Sequence, residues 1–383
     1  MTHRMLIIAG ETSGDTHGAG VVRGLYKTVE NIRVTGIGGN KMQAAGMELL
    51  YHVRDMSIMG FVEVLKHLPF IREVMTTLEN WVDTYQPDAV ILIDYPGFNL
   101  RFAKRLKKRQ IPVYYYISPQ VWAWGKGRLK KMKRLVDKMF VIFPFEEPLY
   151  QDYGVPVEFV GHPLVEEVKD LTPKARFFQS IGCDPEITTI GLLPGSRDQE
   201  IERHLEPMLS ALPRIRENYS GDLQCLVAVA PDLDDGVFEQ LSIPEDVHLV
   251  RHKTYEIMQY SDVVITSSGS ATLEVAYFGT PMVIIYRMSR ITWWLGNLLV
   301  DMPYIGLANI VAEKQVVPEL LQGAVNGRRI AEEVIQYLSD AVYYGEVKKS
   351  LGDIREKLGE PGAGKRVADS IATALYNAHQ TQD

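Results

Sequence analysis

The sequence predicts an α/β fold made of two doubly wound domains followed by C-terminal helices. Short apolar runs alternate with amphipathic stretches along the chain, which is typical of parallel strands joined by right-handed helical crossovers. Runs such as residues 89–93 and 283–285 are apolar throughout, and this suits strands that are covered on both faces. The length of 383 residues exceeds what one hydrophobic core usually serves.

The domain boundaries follow from the order of the predicted elements. Strands are predicted near residues 4–9, 32–37, 88–94, 113–117, 138–143 and 157–160, and then near residues 188–193, 223–230, 247–250, 263–266 and 282–286. Between the two groups, Thr172 followed by Pro173 is typical of a helix N-terminus. We therefore expect a first domain over residues 1–165, a second over 166–340, and helices over 341–383. Those helices would pack back on the first domain or on a second subunit in a homodimer.

Composition excludes several classes of protein. The chain is 46% hydrophobic and 23% charged, as in a folded globular protein, and its two cysteines are too few for a disulfide scaffold or a four-cysteine zinc site. The longest uncharged run, residues 110–125, is interrupted by two prolines and is too short to span a bilayer. The nine histidines show no metal-ligand spacing. We expect a cytoplasmic protein with no metal and no other cofactor.

The turn after the first predicted strand is a candidate ligand contact. Ligands of an open parallel sheet bind at the carboxyl ends of its strands, where helix N-termini offer free N–H groups. Glu11, Ser13 and Gly14 stand in this turn and would line a ligand cleft. The alternative interpretation is a tight strand-to-helix turn in which Ser13 or Asp15 caps the helix.

Asp94 is the candidate general base. It ends the apolar strand at residues 89–93, at the edge of the sheet where ligands bind. Partial burial there would raise its pKa and suit it to accepting a proton. The alternative is an aspartate that caps the next helix, which the Pro96–Gly97 turn also allows.

Two turns of the second domain are candidate phosphate contacts. Gly195, Ser196 and Arg197 follow the strand at residues 188–193, where the glycine lets a ligand approach the backbone and the guanidinium matches phosphate oxygens. The alternative is a surface arginine paired with Glu200 or Glu202.

The second of these turns follows the strand at residues 263–266 and opens a helix. It contains Ser268, Gly269 and Ser270, whose hydroxyls and backbone can cradle a phosphate. Glu274 lies one helical turn later, where its carboxylate can accept hydrogen bonds from both hydroxyls of a ribose. The alternative is a set of serine caps with a carboxylate that complements the helix dipole.

Positive charge is concentrated in the first domain. Residues 1–164 hold 21 Lys and Arg against 16 Asp and Glu, although the whole chain has a net charge of −7. The overall acidity argues against a nucleic-acid partner, and the basic half indicates an anionic one. The candidate contacts with an anionic membrane surface are Phe61, Lys126, Arg128, Lys130, Lys131, Lys133 and Arg134. Basic residues beside apolar ones are typical of peripheral membrane binding, and the alternative is a solvated helix face.

Taken together, these segments resemble the lipid-A-disaccharide synthase family, which are bacterial glycosyltransferases of the GT-B type with two Rossmann-like domains facing a central cleft. The matching stretches keep their order along nearly the whole chain, at residues 10–15, 59–65, 118–124, 193–197, 268–274, 281–287 and 309–312. The stretch that carries Trp122 and Trp124 and the one at residues 10–15 are specific to the family, whereas the two phosphate turns are shared more widely.

The resemblance implies an activity and a separate role for each domain. The family joins UDP-2,3-diacylglucosamine to 2,3-diacylglucosamine 1-phosphate, forming a β-1,6-linked disaccharide 1-phosphate of the lipid A pathway and releasing UDP. Asp94 would then be the base, the second domain would bind UDP with a further polar contact from Asn309, and the protein would associate peripherally with the inner membrane. Two alternatives stay open: an N-acetylglucosamine transferase or 2-epimerase with a soluble substrate, and a non-catalytic nucleotide-binding protein.

Overall fold

The computed structural model divides the chain into two compact units. It describes residues 2–56, 68–122, 127–168, 171–231, 233, 236–239, 241–288 and 303–380. The first unit combines Met1–Glu166 with Leu358–Asp383, and the second unit is Glu167–Lys357.

The first unit is built on a parallel sheet in the order β3-β2-β1-β4-β5-β6-β7. The strands are β1 (His3–Ala9), β2 (Ile32–Gly38), β3 (Glu48–His52), β4 (Ala89–Ile93), β5 (Val113–Tyr116), β6 (Lys138–Val141) and β7 (Val157–Phe159). The helices are α1 (Thr12–Thr28), α2 (Asn40–Ala44), α3 (Val53–Met56), α4 (Leu68–Tyr85), α5 (Pro96–Lys107), α6 (Gly127–Leu135), α7 (Glu146–Asp152), α8 (Leu164–Glu167) and, at the C-terminus, α17 (Ala363–Gln380).

Strand register brings the candidate residues of the first unit to one edge. Every residue of β4 is buried, as its continuous apolar sequence predicts. Ala9 pairs with Ile93, and Ile93 pairs with Tyr116. The turns that follow β1, β4 and β5 therefore leave the sheet at the same level, which places residue 10 beside residue 94.

The second unit repeats the architecture with the order β10-β9-β8-β11-β12-β13, again parallel. The strands are β8 (Thr188–Leu193), β9 (Leu223–Val229), β10 (Val247–Arg251), β11 (Val263–Ser267), β12 (Met282–Tyr286) and β13 (Glu319–Leu321). The helices are α9 (Lys174–Ser180), α10 (Asp198–Asn218), α11 (Gly236–Glu239), α12 (Thr254–Tyr260), α13 (Ala271–Phe278), α14 (Leu307–Ala312), α15 (Gly327–Ser339) and α16 (Ala341–Lys357), with a 3₁₀ turn at Gln322–Ala324. Leu193 pairs with Thr266, so the two candidate phosphate turns are neighbours.

The C-terminal helices divide between the units, and this corrects the boundary predicted at residue 340. Helix α16 packs on α13 and α14 of the second unit, whereas α17 packs along α1 of the first. Glycines permit the second contact: a Cβ at Gly24 would lie 2.6 Å from the Cβ of Ala368. Within the described residues, no helix is long and apolar enough to cross a membrane.

Candidate functional site

Asp94 lies in a turn that the surrounding side chains hold in place. Its backbone N–H donates to the carbonyl of Tyr116 at 3.0 Å, which extends the sheet by one residue. Its own carbonyl accepts from the Tyr115 hydroxyl at 2.5 Å and from Asn99 Nδ2 at 2.7 Å. Tyr95, and not Asp94, occupies the N-cap position of α5, where no side chain caps the helix. The Asp94 carboxyl is therefore not used as that cap.

The electrostatic surroundings of Asp94 match the prediction from its position. The pKa of this carboxyl is raised to about 6, chiefly by burial and then by the nearby Glu11 carboxylate, while the Tyr95 N–H and His17 act in the opposite direction. A carboxyl that titrates near 6 is ionised at neutral pH, yet is a stronger base than an exposed aspartate.

The turn after β1 contributes fewer ligand contacts than the sequence predicts. Glu11 and Ser13 are exposed, as a ligand contact requires. Gly14 is buried instead, and a Cβ there would lie 3.2 Å from the Cβ of Ala9, so this glycine serves the packing of α1 on the sheet. Asp15 accepts from the backbone N–H groups of Gly39, Lys41 and Met42 at 2.7–3.1 Å. It caps α2 rather than its own helix.

The second unit contains a cavity of about 200 Å³ at the carboxyl ends of its central strands. The lining residues include five of the predicted donor contacts, which are Gly195, Ser196, Gly269, Ser270 and Glu274. Leu193, Ala228, Ala230 and Met258 supply an apolar wall. Apolar walls with a few convergent polar groups are the usual form of a small-molecule site.

Glu274 is the acidic side chain among the described residues that line this cavity. Its pKa is raised to about 7, chiefly by burial; the hydrogen bond from Ser270 opposes this shift, and the charge of Glu167 adds to it. A raised pKa of this kind shows that the carboxylate is removed from water and that hydrogen bonds within the protein do not fully compensate. A ligand hydroxyl could donate the missing hydrogen bond.

The turn at Gly195 is closed by an acidic side chain. Glu200 Oε2 accepts from the Ser196 N–H at 2.9 Å, and Glu200 Oε1 lies 3.6 Å from Arg197 Nη1. Arg197 is otherwise 70% exposed and lies outside the cavity lining. Gly195 has φ +133°, and a Cβ there would lie within 3.0 Å of the Glu200 side chain, so only glycine fits. Arg197 is therefore a surface arginine beside Glu200 in this structure, as the alternative interpretation predicts.

Two predicted donor contacts face the protein instead. The Ser268 hydroxyl donates to the Ile305 carbonyl at 3.0 Å. Asn309 is fully buried, donates to Val317 O and Glu319 Oε1, and accepts from the N–H groups of Val316 and Val317. Because this amide has no capacity left, the structure places Asn309 in the scaffold, and we exclude it from the donor contacts.

His204 contacts the turn that contains Gly195, and sequence analysis did not identify it. It is 1% exposed; its Nδ1 lies 3.0 Å from the Pro194 carbonyl, and its Nε2 lies 3.1 Å from the Arg287 N. A carbonyl can only accept and an N–H can only donate, so these partners fix the neutral tautomer with its proton on Nδ1. The imidazole thereby connects the end of β8 to the end of β12.

This arrangement predicts an acid-sensitive fold. Burial lowers the pKa of His204 below its ordinary value of 6.5. The unfolded chain therefore binds more protons, and the stabilisation is present above pH 6.5 and is lost as the pH falls below it. We expect the melting temperature of the wild type to fall more between pH 7.5 and 5.5 than that of His204→Gln, measured by calorimetry. Parallel curves would contradict the role of His204.

The basic residues of α6 form an exposed face. Arg128, Lys130, Lys131, Lys133 and Arg134 are exposed, while Leu129, Met132 and Leu135 of the same helix are buried. Lys130, Lys131 and Arg134 also line an open cavity of about 360 Å³ together with Lys104.

The neighbouring basic run, on α5 and just after it, differs from α6 because Arg105, Lys107 and Arg109 pair with carboxylates. Phe61 and Lys126 lie outside the described residues.

Solved structures share this fold at low sequence identity. The UDP-GlcNAc 2-epimerase of Neisseria meningitidis, bound to UDP-GlcNAc, superposes with a TM-score of 0.64 at 15% identity, over 97% of this chain and 100% of that one. The calicheamicin glycosyltransferase gives 0.61 at 15% identity, over 99% of both chains. The predicted fold of two parallel-sheet α/β domains, as in GT-B proteins, is confirmed.

Sequence comparison is more specific. Residues 5–366 match the family model described as lipid-A-disaccharide synthetase. The lipid-A-disaccharide synthase of Geobacter sulfurreducens is 43% identical over 376 residues, which cover 98% of each chain. That of Syntrophus aciditrophicus is 44% identical over 374 residues, covering 97% of each, and that of Myxococcus xanthus is 40% identical with the same coverage. This chain belongs to the lipid-A-disaccharide synthase family.

Proposed function

We propose that this protein is an inverting glycosyltransferase that joins UDP-2,3-diacylglucosamine to 2,3-diacylglucosamine 1-phosphate and releases UDP. Membership of the family over nearly the whole chain is the observation that carries this proposal. It also favours this reaction over a 2-epimerase or a non-catalytic nucleotide-binding protein, because the relatives at 40–44% identity are named as synthases, whereas a 2-epimerase shares the fold at only 15% identity.

The second unit would bind the donor. The ribose hydroxyls would donate to Glu274, and the diphosphate would lie at Gly269, Ser270 and the positive end of α13. Because Glu200 holds the Ser196 N–H and Arg197, a diphosphate that reaches this turn would replace Glu200 as the partner of both. Arg197 would then stabilise the charge that develops on departing UDP.

The first unit would activate the acceptor at Asp94. The oxygen of the acceptor 6-hydroxyl attacks the anomeric carbon of the donor from the face opposite UDP, and its proton passes to the Asp94 carboxylate. The bond between the anomeric carbon and the diphosphate oxygen breaks, and UDP leaves with the electron pair. A single displacement inverts the anomeric centre, which gives the β-1,6 linkage. General-base assistance of this kind contributes about 10²–10⁴-fold in rate.

Product analysis tests the reaction directly. The purified protein should convert the two diacylated substrates into a disaccharide 1-phosphate and one equivalent of UDP, both detected by mass spectrometry. With UDP-N-acetylglucosamine alone, no 2-epimer should form. Turnover of that soluble nucleotide sugar without any disaccharide product would favour the epimerase alternative, and UDP binding without turnover of either donor would favour the non-catalytic one.

The exposed face of α6 would hold the enzyme on the anionic inner membrane, where acylated substrates partition. Each basic residue near such a surface contributes about 1 kcal/mol, so a few suffice for reversible binding. Reversing Lys130, Lys131 and Lys133 to Glu should reduce sedimentation with phosphatidylglycerol vesicles at low salt and leave UDP affinity unchanged.

A matched control separates this face from net charge. Lys314, Lys348 and Lys349 are exposed lysines of the second unit, and reversing them makes the same change in total charge. Their reversal should reduce vesicle binding much less. Equal losses in both triple variants, or a wild type that does not bind the vesicles, would contradict membrane attachment through α6.

A further inference from the structure

Tyr95 and Gly10 form a tightly fitted pair beside Asp94. Gly10 follows β1 and Tyr95 follows Asp94, and the pairing of Ala9 with Ile93 brings the two turns together. A Cβ at Gly10 would lie within 3.0 Å of three atoms of the Tyr95 ring. The ring therefore fills the volume that any side chain at residue 10 would need.

The same ring sits on an unusual backbone. Asp94 and Tyr95 have φ of 43° and 47°, so two successive residues other than glycine adopt the left-handed conformation. Such a conformation is strained in a residue that has a Cβ, and it persists only where the surroundings enforce it. The Tyr95 ring also packs at the margin of the first unit's core and stacks on Phe98, with ring centroids 6.1 Å apart and planes at 30°.

We propose that Tyr95 is a positioning residue for the transfer reaction: its ring, fitted against Gly10 and stacked on Phe98, locks the turn that presents the Asp94 carboxyl to the acceptor. This proposal rests on the proposed function, in which Asp94 is the general base. Tyr95 acts through Asp94, so it is not itself assigned a chemical step.

The alternative role for Gly10 is to let substrate approach the backbone, and the two roles differ in a measurable way. If the ring is what makes glycine necessary, Gly10→Ala should be harmful when Tyr95 is present and nearly harmless when the ring has been removed. If substrate is what makes it necessary, Gly10→Ala should cost the same in both backgrounds. Groups in direct contact show this kind of non-additivity, whereas independent groups do not.

The pH profile gives a second readout. The groups that face Asp94 are Glu11 from the turn after β1, His17 from α1, Tyr95 itself, and the Tyr115 hydroxyl from β5. Loss of the Tyr95 ring admits water to the carboxyl, which favours its charged form and moves the acid limb of the rate profile below pH 6. A change that left the Asp94 carboxyl in its present surroundings would leave this limb in place.

The experiment is a double-mutant cycle of Gly10→Ala and Tyr95→Ala, with kcat and KM measured from pH 5 to 8 by mass spectrometry of the disaccharide. We expect Tyr95→Ala to lower kcat by about 10²-fold, the usual effect of misplacing a reacting group by about 1 Å. Tyr95→Phe should retain kcat, since the ring and not the hydroxyl makes the fit. The matched control is Tyr26→Ala, whose ring lies near Gly46 on another face of the same unit.

The outcomes are separable. An unchanged kcat and acid limb in Tyr95→Ala, or equal effects of Gly10→Ala in both backgrounds, would overturn the positioning role. The general-base role of Asp94 would still stand if Asp94→Asn showed its large loss of turnover. Near-normal turnover of Asp94→Asn would instead overturn the proposed general base. If Tyr95→Ala does not fold, Tyr95→Leu, which keeps an apolar side chain but removes the ring, takes its place in the cycle.

Discussion

Asp94→Asn should lower turnover by about 10²–10⁴-fold, because the amide cannot accept the proton of the attacking hydroxyl. The fold should survive, since the turn is held through the Asp94 backbone by Tyr115 and Asn99 and not through its carboxyl. UDP affinity, measured by calorimetry, should equal that of the wild type, because the donor cavity lies in the second unit.

The pH dependence of the wild type should identify the same group. With a pKa of about 6, the carboxyl is protonated and inactive at low pH, so kcat/KM should rise as the pH rises through 6 and then level off. Glu11→Gln removes a nearby negative charge and should move that limb to lower pH. Asp152→Asn, an exposed aspartate of α7, is the matched control and should leave both rate and profile unchanged. Near-normal turnover of Asp94→Asn would remove Asp94 from the role.

The position of Asp94 could be predicted because it depends on local pattern. A continuous apolar run predicts a buried parallel strand, and the residue that follows such a strand stands at the ligand edge whatever the rest of the fold does. The same reasoning assigned Gly195 and Glu274 to the donor site. In the structure both line one cavity, because β8 and β11 pair directly. The short edge strands β3 and β13 were not predicted, because three to five residues at a sheet edge carry little apolar periodicity.

Residues whose role depends on distant partners could not be placed from the sequence. The family resemblance implied a donor contact for Asn309, but its amide is satisfied by residues 316–319. His204 lies mid-helix, and only the folded chain shows that it bridges Pro194 and Arg287. The domain boundary after α16 could not be predicted for the same reason. An amphipathic pattern shows that a helix packs on another element, but it does not show on which unit.

Glu274→Ala should weaken UDP binding by about 1.5–3 kcal/mol, or roughly 10–150-fold, because two ribose hydroxyls lose a charged acceptor. Burial has already removed water from this carboxylate, so UDP binding does not have to desolvate it fully. Hydrogen bonds to the ligand are also stronger in these less polar surroundings. Glu245→Ala, which removes an exposed carboxylate of the same unit, is the control and should leave the affinity unchanged.

The pH dependence of binding makes this prediction specific to the carboxylate. With a pKa of about 7, Glu274 is half protonated at neutral pH, and only its ionised form accepts both hydroxyls, so UDP should bind more tightly as the pH rises from 6 to 8. The phosphates of UDP also titrate near the lower end of this range, but they do so equally in the wild type and in Glu274→Gln. The difference between the two proteins therefore reports Glu274 alone, and calorimetric titrations at three pH values measure it. A Glu274→Gln variant that binds UDP as tightly as the wild type at pH 8, with the same slope against pH, would show that the ribose does not contact this residue.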